Sequence, residues 1–290
     1  MIAIILAAGY ATRMYPLTLN FPKPLLELGG KPILDWLCQD LTICGIEHFY
    51  VVTNHKFYPN FLTWAANKPK VTILDDGTQS NETRLGALRD ITFALDYIAG
   101  KHVTAPDSVS GLILDCISGG ATISDTPFHD TLVSPQAPFH DTLVLAGDNV
   151  LDFSFSAFLS YARQKGTSCV MRHYQPDLSR LRRTGVCVID DCDRILSMEE
   201  KPQNPQSNWA VPPFYYYTAT DLPLLYTALR EGLNPDAPGS FVSYLVQRRP
   251  VHAFLMNGHR YDVGSIEGYE QLKATYKGIS CVFNKTCRRR

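Results

Sequence analysis

Residues 1–28 read MIAIILAAGYATRMYPLTLNFPKPLLEL. They pass from the apolar run IAIILA into a polar loop that carries Gly9, Arg13 and Lys23 among Pro16, Pro22 and Pro24. A short apolar run without alternation predicts a strand buried on both faces, as in a parallel sheet. A loop leaving such a strand can turn backbone N–H groups toward phosphate, and small residues let the ligand approach. The loop matches neither GxxxxGK(S/T) nor GxGxxG, so neither the P-loop nor the dinucleotide fingerprint applies. Two cations ten residues apart on a proline-stiffened loop point instead to a polyphosphate clamp.

Outward from this stretch, strand and helix patterns alternate. KPILDWLCQDLTICGI (31–46) has apolar spacing near the helical period, HFYVVTN (48–54) reads as a strand, NFLTWAAN (60–67) as a helix and KVTILDD (70–76) as a strand. TRLGALRDITFALDYIAG (83–100) is amphipathic, with Leu85, Leu88, Ile91, Leu95 and Ile98 on one face. TLVLAGDNV (142–150) predicts a central strand, FSAFLSYARQKG (155–166) a helix and SCVMRHY (168–174) a strand. GVCVIDDCDRILSMEEKP (185–202) reads as two strands about a turn at Asp191–Asp193, and WAVPPFYYYTA (209–219) as one further strand. DLPLLYTALREG (221–232) predicts a helix, VHAFLMNG (258 at its end) a strand and EGYEQLKATYKG (267–278) a closing helix. This alternation predicts an α/β fold, a doubly wound, mixed and mainly parallel sheet.

Composition bounds the partners. The 290 residues are 45% hydrophobic, enough to bury a sizeable core, and 27 basic against 28 acidic residues leave a net charge of -1. Such a balance carries no general attraction to nucleic acid or to a membrane surface, so neither is expected as a partner. The one basic run, KTCRRR at 285–290, reads as a solvated tail. Eight cysteines show neither CxxC pairs nor zinc spacing, which suits reduced thiols. The absence of a basic signal n-region and of an apolar run of ~18 residues predicts a cytoplasmic protein. From Lys101 to Gln136 the pattern loosens. PFHDTLV occurs at 127–133 and again at 138–144, and only the second copy runs on into LAGDN. Residues 101–141 are therefore read as an insertion in a single domain, 1–276, followed by a tail, 277–290. His129 and His140, which come with the copies, read as loop or strand-edge histidines.

The run LAAGYATRMYPLTLNFPKPLLELGGKPILD (6–35) resembles the signature of the sugar-phosphate nucleotidylyltransferases, LAxGxGTRLxPLTxxxPKPLxPxxxKP, in order over some thirty residues. The resemblance implies their Rossmann-like nucleotide-diphospho-sugar transferase fold. It also implies a nucleotide-binding loop of Leu6, Ala8, Gly9 and Thr12, in which Arg13 and Lys23 hold the triphosphate. One position departs: Ala11 stands where the signature has its second glycine, and a positive φ there would cost an alanine. In LAGDN (145–149), Asp148 by itself is either a turn or cap residue or a cation ligand. The resemblance makes it a Mg²⁺ ligand and nucleotide contact, with Asp262 of YDVGS (261–265) as the second metal carboxylate. MEEKP (198–202) alone would be a surface turn. The resemblance assigns Glu200 to sugar hydroxyls, Lys201 to the sugar phosphate and Gly185 to close approach of the sugar. TQSNETRLGAL (78–88) occupies the place of a base-reading loop, with Gly86 at the base edge; Glu82 and Arg84 are either nucleotide contacts or solvated charges.

The implied reaction transfers NMP from an NTP to a sugar 1-phosphate with release of pyrophosphate, dependent on Mg²⁺, with Arg13, Lys23, Asp148, Lys201 and Asp262 as the catalytic set. NTP and sugar 1-phosphate are then the partners, and a homo-oligomer is compatible with the fold. Two alternatives stay open: a regulatory subunit that binds nucleotide or sugar phosphate without turnover, and a cytidylyltransferase for a non-hexose phosphate. A nicotinamide-dependent oxidoreductase lacks its glycine pattern here.

Overall fold

The apolar run after Met1 forms β1 (Ile2–Leu6), buried along most of its length. A computed structural model of the chain describes residues 1–101, 139–261 and 263–280. Most of the expected insertion, with His129, most of the tail, and Asp262 lie outside the described residues. After β1 come single 3-10 turns at Thr12–Met14 and Lys23–Leu25, the small hairpin β2 (Glu27–Leu28) and β3 (Lys31–Pro32), and α1 (Ile33–Ile43). The chain continues through β4 (His48–Thr53), α2 (Tyr58–Ala65), β5 (Val71–Asp75), α3 (Ala87–Ile98), β6 (Thr142–Ala146) and β7 (Val150–Leu151). The second half runs α4 (Ser156–Lys165), β8 (Ser168–Tyr174), α5 (Leu178–Leu181), β9 (Gly185–Ile189), β10 (Ile195–Glu200), β11 (Trp209–Val211) and β12 (Phe214–Tyr217). It closes with α6 (Pro223–Arg230), α7 (Gly239–Leu245), β13 (Val251–Leu255), β14 (Arg260–Tyr261) and α8 (Ile266–Thr275).

The main sheet has the order β10-β9-β11-β8-β12-β6-β1-β4-β5, with β13 also on β8. It is mixed: β6, β1, β4 and β5 form a parallel block, and β12 runs antiparallel between β6 and β8. Alternate residues of the central strands feed two cores, as a doubly wound sheet requires. Ala3, Ile5, Leu143 and Leu145 pack with Leu37, Leu41 and Phe158 of α1 and α4. Ile4, Val52 and Val144 pack with Leu88, Ile91 and Leu95 of α3 and with Phe241 of α7 on the other face.

Strand order reverses at β1. Its next parallel neighbour in the chain, β4, lies on one side and β6 on the other, with Leu6 opposite Val52 and Ala146. A crevice at the carboxyl ends of such strands is where open α/β sheets take ligands.

The structure corrects three local expectations. WAVPPFYYYTA is two strands, because Pro212 and Pro213 break the ladder; β11 pairs with β9 and β8, whereas β12 pairs with β6 and β8. TLVLAGDNV stops at Ala146, turns at Gly147 and Asp148, and resumes as β7 paired to β14. The helix expected from residue 83 begins at Ala87, since its N-cap Gly86 has φ 93°. Helix α7 follows Pro238 and was not legible as a helix.

Candidate active site

The end of β1 is pinned on both sides before the loop leaves the sheet. Ala7 N donates to Val52 O at 2.8 Å, Gly147 N donates to Leu6 O at 2.9 Å, and the buried Asn54 donates from Nδ2 to Ala8 O at 2.9 Å. Asn54 Oδ1 also accepts from Phe57 N, so this side chain ties the loop to the end of β4. Tyr10 turns inward, and its hydroxyl donates to Thr78 O. Ala11 then adopts the left-handed conformation, φ 47° and ψ 42°, as the missing glycine implied. Its carbonyl accepts from Thr18 Oγ1 at 2.8 Å and from Met14 N, which holds the turn closed.

This loop forms one wall of a cleft of about 470 Å³ over the crevice between β1 and β6. Leu6, Ala8, Gly9, Arg13 and Lys23 line it from the first strand and its loop. Ala146 and Asp148 reach it from the end of β6, Gly86 from the start of α3, and Lys201 from the end of β10. Eight of the positions named from sequence thus converge from four separate parts of the chain. Thr12 stands in the adjacent 3-10 turn and is exposed, outside the lining.

Lys23 Nζ donates to Asp148 Oδ2 at 2.6 Å. The lysine side chain is 11% exposed and the aspartate 41%, so the ammonium is nearly buried while the carboxylate faces the cleft. Asp148 Oδ1 has no hydrogen-bond partner among the described residues. A half-exposed carboxylate with one oxygen held by a lysine and one open suits a hard cation whose remaining ligands are substrate phosphates and water. Among the described residues no group of three or more His, Cys, Asp or Glu could hold a metal by itself. Asp262 lies outside them.

The second region lies beside Lys201. In β10, Glu200 pairs with Gly185 of β9, and Lys201 N donates to Thr184 O. Lys201 has φ 51°, a left-handed turn that takes its side chain out of the strand's alternation. A Cβ on Gly185 would stand 2.6 Å from Met198 Cε and 3.1 Å from Glu200 Oε2, and one on Gly239 would collide with Glu200 Oε2. The two glycines therefore make room for the Glu200 carboxyl. Burial raises its pKa above the usual glutamate value, against the opposing effect of Lys201. Gly185 and Glu200 are not among the residues that line the cleft.

Sequence reasoning missed Asp90, Asp236 and Pro238, all in the lining. Asp90 had a signal: an aspartate spaced with Ala87 and Ala94 on the inward side of an amphipathic helix. Asp236 had none, since its loop reaches the cleft only through tertiary contact. Leu88 N donates to Pro235 O, a Cβ on Gly86 would stand 2.9 Å from that oxygen, and Arg84 Nη2 pairs with Asp236 Oδ2 at 3.6 Å.

A cleft at a strand-order reversal, lined by cations and carboxylates from separate parts of the chain, is the ligand site expected of an open α/β protein. The nucleotidyl transferase family model matches residues 2–110 and 130–278, and the chain belongs to that family. It is 25% identical over 271 residues to a glucose-1-phosphate adenylyltransferase of Fervidobacterium nodosum, covering 92% of this chain and 59% of that protein. It is also 25% identical to the bifunctional protein GlmU of Methanocaldococcus jannaschii, covering 90% of this chain and 51% of that protein. The chain thus spans between half and two thirds of the length of these curated relatives. Among solved structures, a Bacillus anthracis protein described as a glucose-1-phosphate thymidylyltransferase, in complex with sucrose, superposes with a TM-score of 0.68 at 19% identity, covering 97% of this chain and 96% of that one. A UDP-glucose pyrophosphorylase in complex with UDP-glucose also gives 0.68, at 20% identity over 95% of this chain and 98% of that one. These two share the fold. No helix among the described residues is long and apolar enough to cross a membrane.

Proposed function

We propose that the chain is a nucleotidylyltransferase that joins an NTP to a sugar 1-phosphate, giving an NDP-sugar and pyrophosphate. The observation that carries the proposal is the Lys23–Asp148 pair at the β1/β6 crevice, with Arg13 and Lys201 lining the same cleft. In the reaction an oxygen of the sugar phosphate attacks the α-phosphorus. A new P–O bond forms, the bond to the β-phosphate's bridging oxygen breaks, and pyrophosphate leaves with the bonding pair. With a second pKa of about 6 the attacking phosphate is already largely ionised at neutral pH, so no general base is required. What the protein supplies is position and charge.

Arg13 stabilises the departing pyrophosphate and Lys23 neutralises the triphosphate. Lys201, leaving β10 in its left-handed turn, takes the sugar phosphate, and Glu200 in its two-glycine niche receives sugar hydroxyls. Leu6, Ala8, Gly9 and Thr12 follow the nucleotide's backbone. Asp148, with Asp262 as expected from sequence, would hold Mg²⁺, which when bound supplies charge stabilisation at the α-phosphate.

Pyrophosphate release, measured with each NTP against a panel of hexose 1-phosphates and non-hexose phosphates in the presence of Mg²⁺, tests the proposal. Release with at least one pair is the expected result. Nucleotide binding without release from any pair would favour the regulatory alternative, and release only with CTP and a non-hexose phosphate would favour the second.

A further inference from the structure

The wall of the cleft at the start of α3 holds a carboxyl that the mechanism does not use. Asp90 stands one turn beyond Gly86, lines the cleft and is only 6% exposed, and its Oδ1 has no hydrogen-bond partner. Asp76, just after β5, is 1% exposed. Its Oδ1 accepts from the backbone N and the hydroxyl of Thr78, both at 2.7 Å, and its Oδ2 has no partner. Two nearly dry carboxyls within electrostatic reach, each with an orphaned oxygen, do not both ionise.

The surrounding charges do not relieve the pair. Among the described residues, Asp76 is the one charge that acts appreciably on Asp90. Asp75 and His55, which pair with each other at 2.7 Å, act on Asp76 in opposite senses. Tyr10 and Glu82 lie toward the same end, and Arg84 at the rim is engaged by Asp236. Burial and Asp76 hold the Asp90 carboxyl well above the usual range, and burial pushes Asp76 up to about 6.

Among the described residues no cation compensates Asp90, so a triphosphate has no reason to lie against it. The group that fits there is the uncharged end of the nucleotide, beside the turn at Gly86. We propose that Asp90 in its acid form is a specificity-determining residue that hydrogen-bonds the base edge of the bound nucleoside triphosphate. It donates through its O–H to a carbonyl oxygen or ring nitrogen and accepts through its carbonyl oxygen. A neutral carboxyl presents one donor beside one acceptor, the pattern of a base edge with an adjacent acceptor and donor. An ionised one would present two acceptors. The same use of a buried, neutral aspartic acid as a hydrogen-bond donor is known from enzyme chemistry.

The inference rests on the nucleotidyl-transfer reading and is tested by equilibrium binding to the full chain, with ATP, CTP, GTP, UTP, dTTP and inorganic tripolyphosphate as probes. Asp90→Ala is expected to weaken the preferred NTP roughly 10- to 100-fold, the other NTPs less, and tripolyphosphate less than twofold. Asp90→Asn, which keeps one donor and one acceptor, is expected to stay within roughly fivefold of the parent for the preferred NTP. Should Asp90→Ala fail to fold, Asp90→Val, closer to aspartate in volume, gives the same readout. An equal loss for all five NTPs, a parallel loss of tripolyphosphate, or no loss at all would overturn base recognition by Asp90. The reading of the reaction fails separately, through absent pyrophosphate release while NTP binding persists.

Discussion

Ala11 carries a conformation that a glycine would adopt more cheaply. An alanine at φ 47° costs on the order of 1 kcal/mol, partly offset because alanine also restricts the unfolded chain. Ala11→Gly is therefore expected to stabilise the protein by about 0.5 kcal/mol and to raise its Tm by one or two degrees, roughly, as read by calorimetry. A fall in Tm would mean that the freedom glycine adds to the unfolded chain outweighs the strain relieved at this turn. Asp148 carries a different kind of cost. Asp148→Asn removes the counter-charge of a nearly buried lysine and the open carboxylate oxygen together. We expect kcat for pyrophosphate release to fall at least about 100-fold. Unchanged turnover at saturating Mg²⁺ would remove Asp148 from the mechanism.

At the scale of elements, β10 and α7 meet around one carboxyl. Gly239 opens α7 where Glu200 needs space, and any side chain there displaces Oε2. Gly239→Ala is expected to raise KM for the sugar 1-phosphate roughly tenfold while leaving KM for the NTP within about twofold. Equal changes in both would place Glu200 outside the sugar site. The turn after β5 makes a pH prediction. Asp76 has a folded pKa of about 6 against an ordinary 3.8, so between these values the folded state holds more protons than the unfolded one. Stability from this group therefore falls as pH rises from 4 to 6 and stays low above. Asp76→Asn keeps an acceptor for Thr78 and removes the charge that acts on Asp90. It is expected to raise unfolding stability at pH 8 by about 2 kcal/mol and to leave it nearly unchanged at about pH 3, below both values, measured by denaturant unfolding.

At the scale of the molecule, the two described ends of the segment between α3 and β6 come to one side chain. Lys101 Nζ lies 5.2 Å above the Tyr226 ring centroid, the Phe139 ring lies 6.5 Å from it, and the Tyr226 hydroxyl donates to Asp96 at the end of α3. Ends that meet in this way can be joined by a short link at little entropic cost. Replacing residues 104–136 with about four Gly/Ser residues is expected to keep Tm within about 2 °C and pyrophosphate release within about twofold. Lost turnover in a folded variant would show that the segment completes the site.

Much of the site was legible in the sequence because it is written locally. An apolar run with no alternation specifies a doubly buried strand. The glycine, arginine and prolines that follow restrict the backbone within a few residues of it, and Asp148 and Lys201 fall just beyond strands that their own composition marks. The left-handed turn at Ala11 was foreseeable for the same reason. The break at Pro212–Pro213 was also written locally, in two residues that cannot donate to a ladder. Tertiary structure alone decided what depends on neighbours distant in the chain. Asp90 becomes a dry, unpartnered acid only when α3 packs against the sheet, with Asp76 after β5 acting on it through space, and Gly239 matters only because Glu200 arrives from β10. Asp236 enters the cleft because the Pro235 carbonyl accepts from α3. The chain's own pattern determined the sheet and the turn geometry of the loop after β1, since hydrophobic period and turn chemistry act within a few residues. The packing of the cleft's far wall set the burial and charge of its other groups, since desolvation and Coulomb interaction act through space.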